Sequence, residues 1–150
     1  RRGARLCAQP PPRTLPRKGP PVTTPPLRVL LTGAAGRIGT AFYAETADRY
    51  WFRLADRQAA DLRPRASHDA VPLDVADLAA CRAACAGIHA VLHLAADPSP
   101  EADFHGSLLA NNVVGTVNVF RTAKEAGAGA ATTRTTGTFT AAEPAGRSRG

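Results

Sequence analysis

The stretch LTGAAGRIG, Leu31 to Gly39, sets three glycines at a spacing of three between a short apolar run and a segment with helical spacing. Before it, LRVLLTG is rich in Leu and Val and stops at Gly33, the pattern of a strand covered on both faces of a parallel sheet. After it, GRIGTAFYAETADRY carries Ile38, Ala41, Phe42 and Glu45 at helical offsets, which predicts a helix with the apolar members on one side. In such a strand-loop-helix unit Gly33 permits the tight turn, Gly36 removes a side chain from the mouth of the loop, and Gly39 lets the helix pack on the strand. The N–H groups at the helix start are then left for an anion, aided by the helix dipole.

The rest of the chain repeats the alternation. YWFRLAD predicts a second strand ending at Asp56 and AVPLD a third, while the connection QAADLRPRASHDA contains Pro64, which limits any helix. VADLAACRAACAG places Leu78, Cys81 and Cys85 on one stripe that ends at Gly87, so these cysteines read as core packing. IHAVLHLAA predicts a fourth buried strand. Ser99 and Pro100 suit the cap and first turn of a helix running through SLLANNVVGTVNVFRTAKEAG, with Leu109, Val113, Thr116, Phe120 and Ala123 along one side. Right-handed crossovers then give an α/β, Rossmann-like doubly wound parallel sheet, incomplete at about four strands. After Gly127 there are six threonines between 132 and 140 and Phe139 as the sole large apolar residue, so no stable element is expected there.

Charge and composition divide the chain the same way. Residues 1–26 hold six Arg or Lys, eight prolines and no acid, and read as a disordered Pro/Arg-rich tail. The absence of an initiating Met fits a mis-assigned start or a partial gene model. Residues 27–128 read as a partial dinucleotide-binding domain and 129–150 as a disordered low-complexity tail. The net charge of +7 sits at the ends, since residues 27–128 carry ten bases against eleven acids, and this argues against a nucleic-acid groove. Cys7, Cys81 and Cys85 form no CxxC pair, so neither a disulfide framework nor a zinc site is indicated, and a reducing, cytoplasmic setting is expected. No apolar run approaches the roughly 18 residues of a membrane span, and no membrane partner is expected. His68, His89, His93 and His105 are too scattered for a metal site, and His93 reads as a packed strand residue.

Asp56, seventeen residues beyond Gly39 and at the end of the second strand, turns the glycine pattern into a dinucleotide signature. Its carboxylate can accept from both adenosine ribose hydroxyls, whereas a 2′-phosphate about 4 Å away would meet a repulsion of a few kcal/mol. NAD is therefore favoured over NADP. Arg57 either receives such a phosphate or is a solvated surface charge, and Arg37 either reaches the pyrophosphate or solvates the helix. The candidate cofactor contacts are thus Gly33, Ala35, Gly36, Arg37, Ile38, Gly39, Asp56 and Arg57. A P-loop is excluded, because Thr40 follows Gly39 and no Lys lies nearby.

TGAAGRIG, LDVAD (Leu73 to Asp77), VLHLAAD (Val91 to Asp97) and NNVVGTVNVF (Asn111 to Phe120) together resemble the extended short-chain dehydrogenase/reductase family, the NAD-dependent epimerase/dehydratases. Within it the chain is most similar to the branch of sugar oxidoreductases that includes uronate dehydrogenases, over residues 27–127. The resemblance implies that Asp74 and Val75 border the adenine, that Leu94, Ala95 and Ala96 line the inner cofactor wall, and that Asn112 supports the site. Each also has a structural reading: a helix-entry acid, strand-end packing and an exposed helix residue. Gly115 fits a close backbone approach to a neighbour.

The resemblance also implies hydride transfer on a small sugar-like substrate and a homodimer resting partly on the long helix. The acid/base of that chemistry is a Tyr followed four residues later by a Lys. Here the tyrosines are Tyr43 and Tyr50, followed at that distance by Ala47 and Leu54, so no catalytic residue is assigned. The expected identity is the NAD-binding part of an NAD-dependent sugar oxidoreductase or epimerase, truncated and inactive as given. The alternative is a non-catalytic dinucleotide sensor or regulatory module.

Overall fold

The computed structural model describes residues 25–64 and 68–133, so most of the two tails expected to be disordered, 1–26 and 129–150, lies outside them, as does Cys7. Strand β1 (Arg28–Thr32) leads through helix α1 (Arg37–Thr46) to β2 (Trp51–Asp56). A single 3-10 turn (Ala59–Asp61) precedes β3 (Asp69–Pro72), which is followed by α2 (Leu78–Cys85) and β4 (Ala90–His93). A π-helix (Phe104–Val114) then runs directly into α3 (Gly115–Glu125). Among the described residues the last element is β5 (Ala130–Thr133).

The strands form one sheet in the order β3-β2-β1-β4-β5. Every pairing is parallel, with Val29 opposite both Phe52 and Ala90. Leu30 and Leu31 are neighbours in sequence yet both fully buried, as only a sheet covered on both faces allows. Leu30 packs with Val91, Cys81, Cys85 and Val119, and Leu31 with Phe52, Leu54 and Leu62. The α/β Rossmann-like class is the one expected.

The element β5 corrects the expectation of no structure after Gly127. Its backbone pairs with β4 from Ala90↔Ala130 to His93↔Thr133. Alanines and threonines supply little apolar surface, but the ladder satisfies the edge of β4, and β-branched Thr suits an extended backbone.

Three helical expectations also shift. On α1 the side turned to the sheet carries Gly39, Phe42, Tyr43 and Ala47, whereas Ile38 and Ala41 are exposed. Gly39 sets this phase, since a Cβ there would stand 2.3 Å from the Gly33 carbonyl oxygen. The helix after β4 begins at Phe104 rather than at Ser99, capped by Asp103, whose Oδ1 accepts from the Gly106 N–H at 2.6 Å. Ser99 instead gives its N–H to Asp97 Oδ1. The stripe drawn through half-buried Leu109 fails at Val113 because the π-winding, about 4.4 residues per turn against the α-helix's 3.6, breaks that periodicity. Val113 is 46% exposed, and the buried stripe starts only at Gly115, continuing through Asn118, Val119, Thr122 and Ala123.

Helix α2 is as expected. Asp77 Oδ1 accepts from the Ala79 and Ala80 N–H groups at 2.8 and 3.1 Å, and Gly87 follows its C-terminus with φ +68°. Arg53 Nη1 donates to the Ala84 and Ala86 carbonyls, each at 2.9 Å, placing a cation at the negative end of the helix. Cys81 and Cys85 are buried free thiols, and desolvation, with a smaller contribution from Cys85, pushes the Cys81 thiol up to about 11. Both are packing residues, as read.

Candidate functional site

The chain crosses from β3 at one edge back over the sheet to β4, so the direction of winding reverses between β1 and β4. Loops leave the carboxyl ends of these two strands in opposite directions and open a crevice between them, the usual ligand site of such sheets. The cleft found there is lined by Thr32, Gly33, Gly36, Ala55, Asp56, Arg57, Leu73, Val75, Leu94, Ala95, Ala96 and Asn111.

Its floor is mostly backbone. Gly33 has φ +70°, and a Cβ on it would lie 2.6 Å from the Ala95 nitrogen and 2.7 Å from the Leu94 carbonyl carbon. The glycine loop and the end of β4 can approach this closely only without that side chain. Among the described residues no side chain caps the first turn of α1, and its N-cap is Gly36, at the cleft. The first N–H groups of a ten-residue helix are thus presented where an anion would lie.

Asp56 faces the loop. Its Oδ2 accepts from the Ala35 N–H at 3.0 Å and its Oδ1 from the Gln58 N–H at 3.1 Å. Each oxygen keeps a lone pair for a further donor.

Of the residues read from sequence, Gly33, Gly36, Asp56, Arg57, Val75, Leu94, Ala95 and Ala96 line the cleft. Ala35 stands beside it through its bond to Asp56, and Gly39 lies beneath the loop against Ala34. Arg37 and Ile38 are exposed and outside the lining. Asp74 is likewise outside it, with Oδ1 accepting from the Ala76 N–H at 2.9 Å in the turn ahead of α2, whose cap is Asp77.

Asn112 also does not line the cleft. Its Oδ1 accepts from the Asp97 N–H at 2.8 Å and its Nδ2 donates to the Asp97 carbonyl at 3.1 Å, so it fastens the loop after β4 to the helix. Asn111, its neighbour, is the asparagine at the cleft. Sequence reading missed Asn111, Thr32, Ala55 and Leu73; Thr32, Ala55 and Leu73 adjoin residues already singled out, and strand-end position was the available signal. Asp97 also accepts from the Ser107 hydroxyl, and chiefly this bond holds its carboxyl below the ordinary range.

Two residues of α3 support the wall from behind. A Cβ on Gly115 would stand 2.5 Å from Val75 Cγ2, the close approach expected of it. Buried Asn118 donates through Nδ2 to the Val75 and Ala76 carbonyls at 3.1 and 3.0 Å. Asn118→Ala would strand both acceptors and is expected to cost about 2 kcal/mol, read from the urea midpoint; a change under about 0.5 kcal/mol would remove this role.

Neither tyrosine reaches the cleft. Tyr43 bonds His68 Nδ1 at 2.8 Å and packs edge-on against Phe52, as does Tyr50. Among the described residues no group of three or more His, Cys, Asp or Glu could hold a metal, and no helix is long and apolar enough to cross a membrane.

Comparison with known proteins agrees with this geometry. The chain is 45% identical over 103 residues to the NAD-dependent glucose-6-phosphate dehydrogenase of Haloferax volcanii, covering 66% of this chain and 39% of that enzyme. Among solved structures it is similar to the uronate dehydrogenase of Agrobacterium tumefaciens, with a TM-score of 0.60, 33% identity, and coverage of 67% of this chain and 37% of that one. It is similar too to the Bordetella bronchiseptica enzyme WbmH solved in complex with NAD+, with a TM-score of 0.61, 25% identity, and coverage of 69% and 36%. The chain therefore spans less than half the length of these relatives. Residues 29–146 match the profile of the NAD dependent epimerase/dehydratase family, a match that runs through β5. The chain belongs to that NAD-dependent epimerase/dehydratase family.

Proposed function

We propose that this chain is the NAD-binding part of an NAD-dependent sugar oxidoreductase or epimerase. The observation that carries the reading is a single cleft combining the bare glycine loop, the open start of α1 and the Asp56 carboxylate. The residues fit the group: Gly36 and the α1 start would take the diphosphate, Asp56 the adenosine ribose, and Val75 the adenine side. Leu94, Ala95 and Ala96, mostly small, would leave room for the flat rings along the inner wall. Nicotinamide, when bound, supplies hydride acceptance and return at a sugar hydroxyl or carbonyl. This chain's residues bind and orient; the acid/base is not among them, since neither Tyr43 nor Tyr50 is followed four residues on by Lys.

The same reading carries a small sugar-like substrate, a cytoplasmic location, and pairing of two copies through the long helix, where Val113, Val114 and Val117 are exposed. It also holds that the remaining catalytic segment belongs to a longer coding frame. Translating the coding DNA beyond the matched residues 29–146, in all three frames, should reveal a Tyr-x-x-x-Lys, and a lack of it would end that part of the proposal.

Titration of the purified chain with NAD is expected to show saturable binding, with NADP at least tenfold weaker because the Asp56 carboxylate opposes a 2′-phosphate. Asp56→Asn should narrow that ratio by weakening NAD more than NADP. Equal affinity for the two dinucleotides, or none for NAD, would contradict the assignment of Asp56.

A further inference from the structure

His93 is buried to 1% exposure at the end of β4, below the cleft and outside its lining. Its ring touches three elements. Nδ1 lies 2.7 Å from Thr32 Oγ1 on β1, Nε2 lies 3.2 Å from Thr116 Oγ1 on α3, and the ring packs edge-on against Phe120.

The surrounding hydrogen bonds decide where its proton sits. Thr116 Oγ1 is 2.6 Å from the Asn112 carbonyl, which can only accept, so the hydroxyl proton points there and Nε2 must donate to Thr116. With Nε2 carrying the imidazole proton, Nδ1 is left to accept, and Thr32 Oγ1 itself accepts from the Ala95 N–H at 3.3 Å and shares the Leu94 N–H, at 3.2 Å, with the Thr32 carbonyl at 3.1 Å. The Thr32 hydroxyl proton then goes to Nδ1. One neutral tautomer, protonated at Nε2, satisfies every donor and acceptor.

We propose that His93 is a positioning residue of the cleft, whose neutral Nε2–H imidazole ties the end of β1 to the helix carrying Asn111 and Asn112. Thr32, Leu94 and Ala95, joined through the Thr32 hydroxyl, line the cleft. The Asn112 carbonyl, at the other end of the relay, belongs to the residue that fastens Asp97. The relay spans the crevice between β1 and β4 from beneath and keeps its two walls at a set separation before any ligand arrives. His93 itself touches no ligand. The affinity part of this inference rests on the dinucleotide reading above; the tautomer and the order it imposes do not.

The test uses the full chain with 15N-labelled histidine. Nitrogen chemical shifts should show His93 protonated at Nε2 and bare at Nδ1 at neutral pH; the opposite tautomer would overturn the inference without any variant. His93→Phe keeps the ring and removes both bonds, and is expected to weaken NAD binding about tenfold. His93→Asn keeps an acceptor near the Nδ1 position and should recover most of that loss. Leu62→Ala, which opens the core on the other face of the sheet, should leave affinity within about threefold even where it lowers the melting temperature as much. A His93→Phe chain that binds like the parent, or a Leu62→Ala chain that loses affinity equally, would overturn the positioning role. Should His93→Phe fail to fold, Thr116→Val cuts the relay at its helix end and carries the same expectation. If the parent chain itself does not bind NAD, the dinucleotide reading fails separately. The inference is then judged by exchange of the Ala95 amide hydrogen, which should quicken in the variant and not in Leu62→Ala; unchanged exchange would overturn it.

Discussion

Gly33→Ala is expected to destabilise the chain by about 4 kcal/mol, while Gly87→Ala costs about 1 kcal/mol. The two glycines have almost the same positive φ, +70° and +68°, so an alanine at either meets a backbone angle that L side chains rarely adopt. They differ in their surroundings. Nothing lies within 4 Å of a Cβ on Gly87, whereas one on Gly33 would meet the Leu94 and Ala95 backbone at 2.6 to 2.8 Å. That backbone cannot retreat easily, because Leu94 gives its N–H to the Thr32 carbonyl and β4 is paired on both sides. Urea denaturation of the two variants measures the difference directly. Equal losses would mean that the loop and β4 are not in the close contact on which the cleft depends. Where Gly33→Ala still folds, NAD titration should show binding lost, since the shift falls on the floor of the site.

The second large effect is on acid stability. Burial pushes the His93 imidazole from its ordinary 6.5 down to about 4, and its partners Thr32, Thr116 and Phe120 carry no charge to oppose this. Between those two values the unfolded chain holds a proton that the folded chain refuses. The stabilisation is therefore complete above pH 6.5 and is lost as the pH falls toward 4, by roughly 3 kcal/mol in all. Urea midpoints taken between pH 7 and pH 4 should show this slope in the parent chain. His93→Asn, having no proton to take up in that range, should show a profile flatter by that amount. A variant whose profile parallels the parent's would mean that His93 is already protonated, or open to water, in the folded state. The Asp97 carboxyl, held low chiefly by Ser107, acts in the same direction but only at more acid pH.

The gaps between sequence and structure have identifiable causes. Periodicity placed Ile38 on the buried side of α1, but helical phase follows the tightest contact, and that is Gly39 against the Gly33 carbonyl. Periodicity likewise failed at Val113, since a stripe counted at 3.6 residues per turn has no meaning in a π-wound segment. Asn111 and Asn112 are both half-buried on that segment, and winding alone decides which of the pair faces the cleft and which holds Asp97. The strand β5 has too little apolar surface to announce itself, and its order comes from a neighbour it could not choose in advance.

Local sequence determined the strand-loop-helix unit, the parallel alternation and the acid at the end of β2. Each of these rests on interactions among residues near in the chain: burial period, glycine conformation and turn chemistry. Tertiary structure alone decided the reversal between β1 and β4, the choice of Asn111 over Asn112, and the proton position on His93. These depend on hydrogen bonds and contacts between residues some fifteen to sixty positions apart, whose geometry exists only once the sheet has assembled.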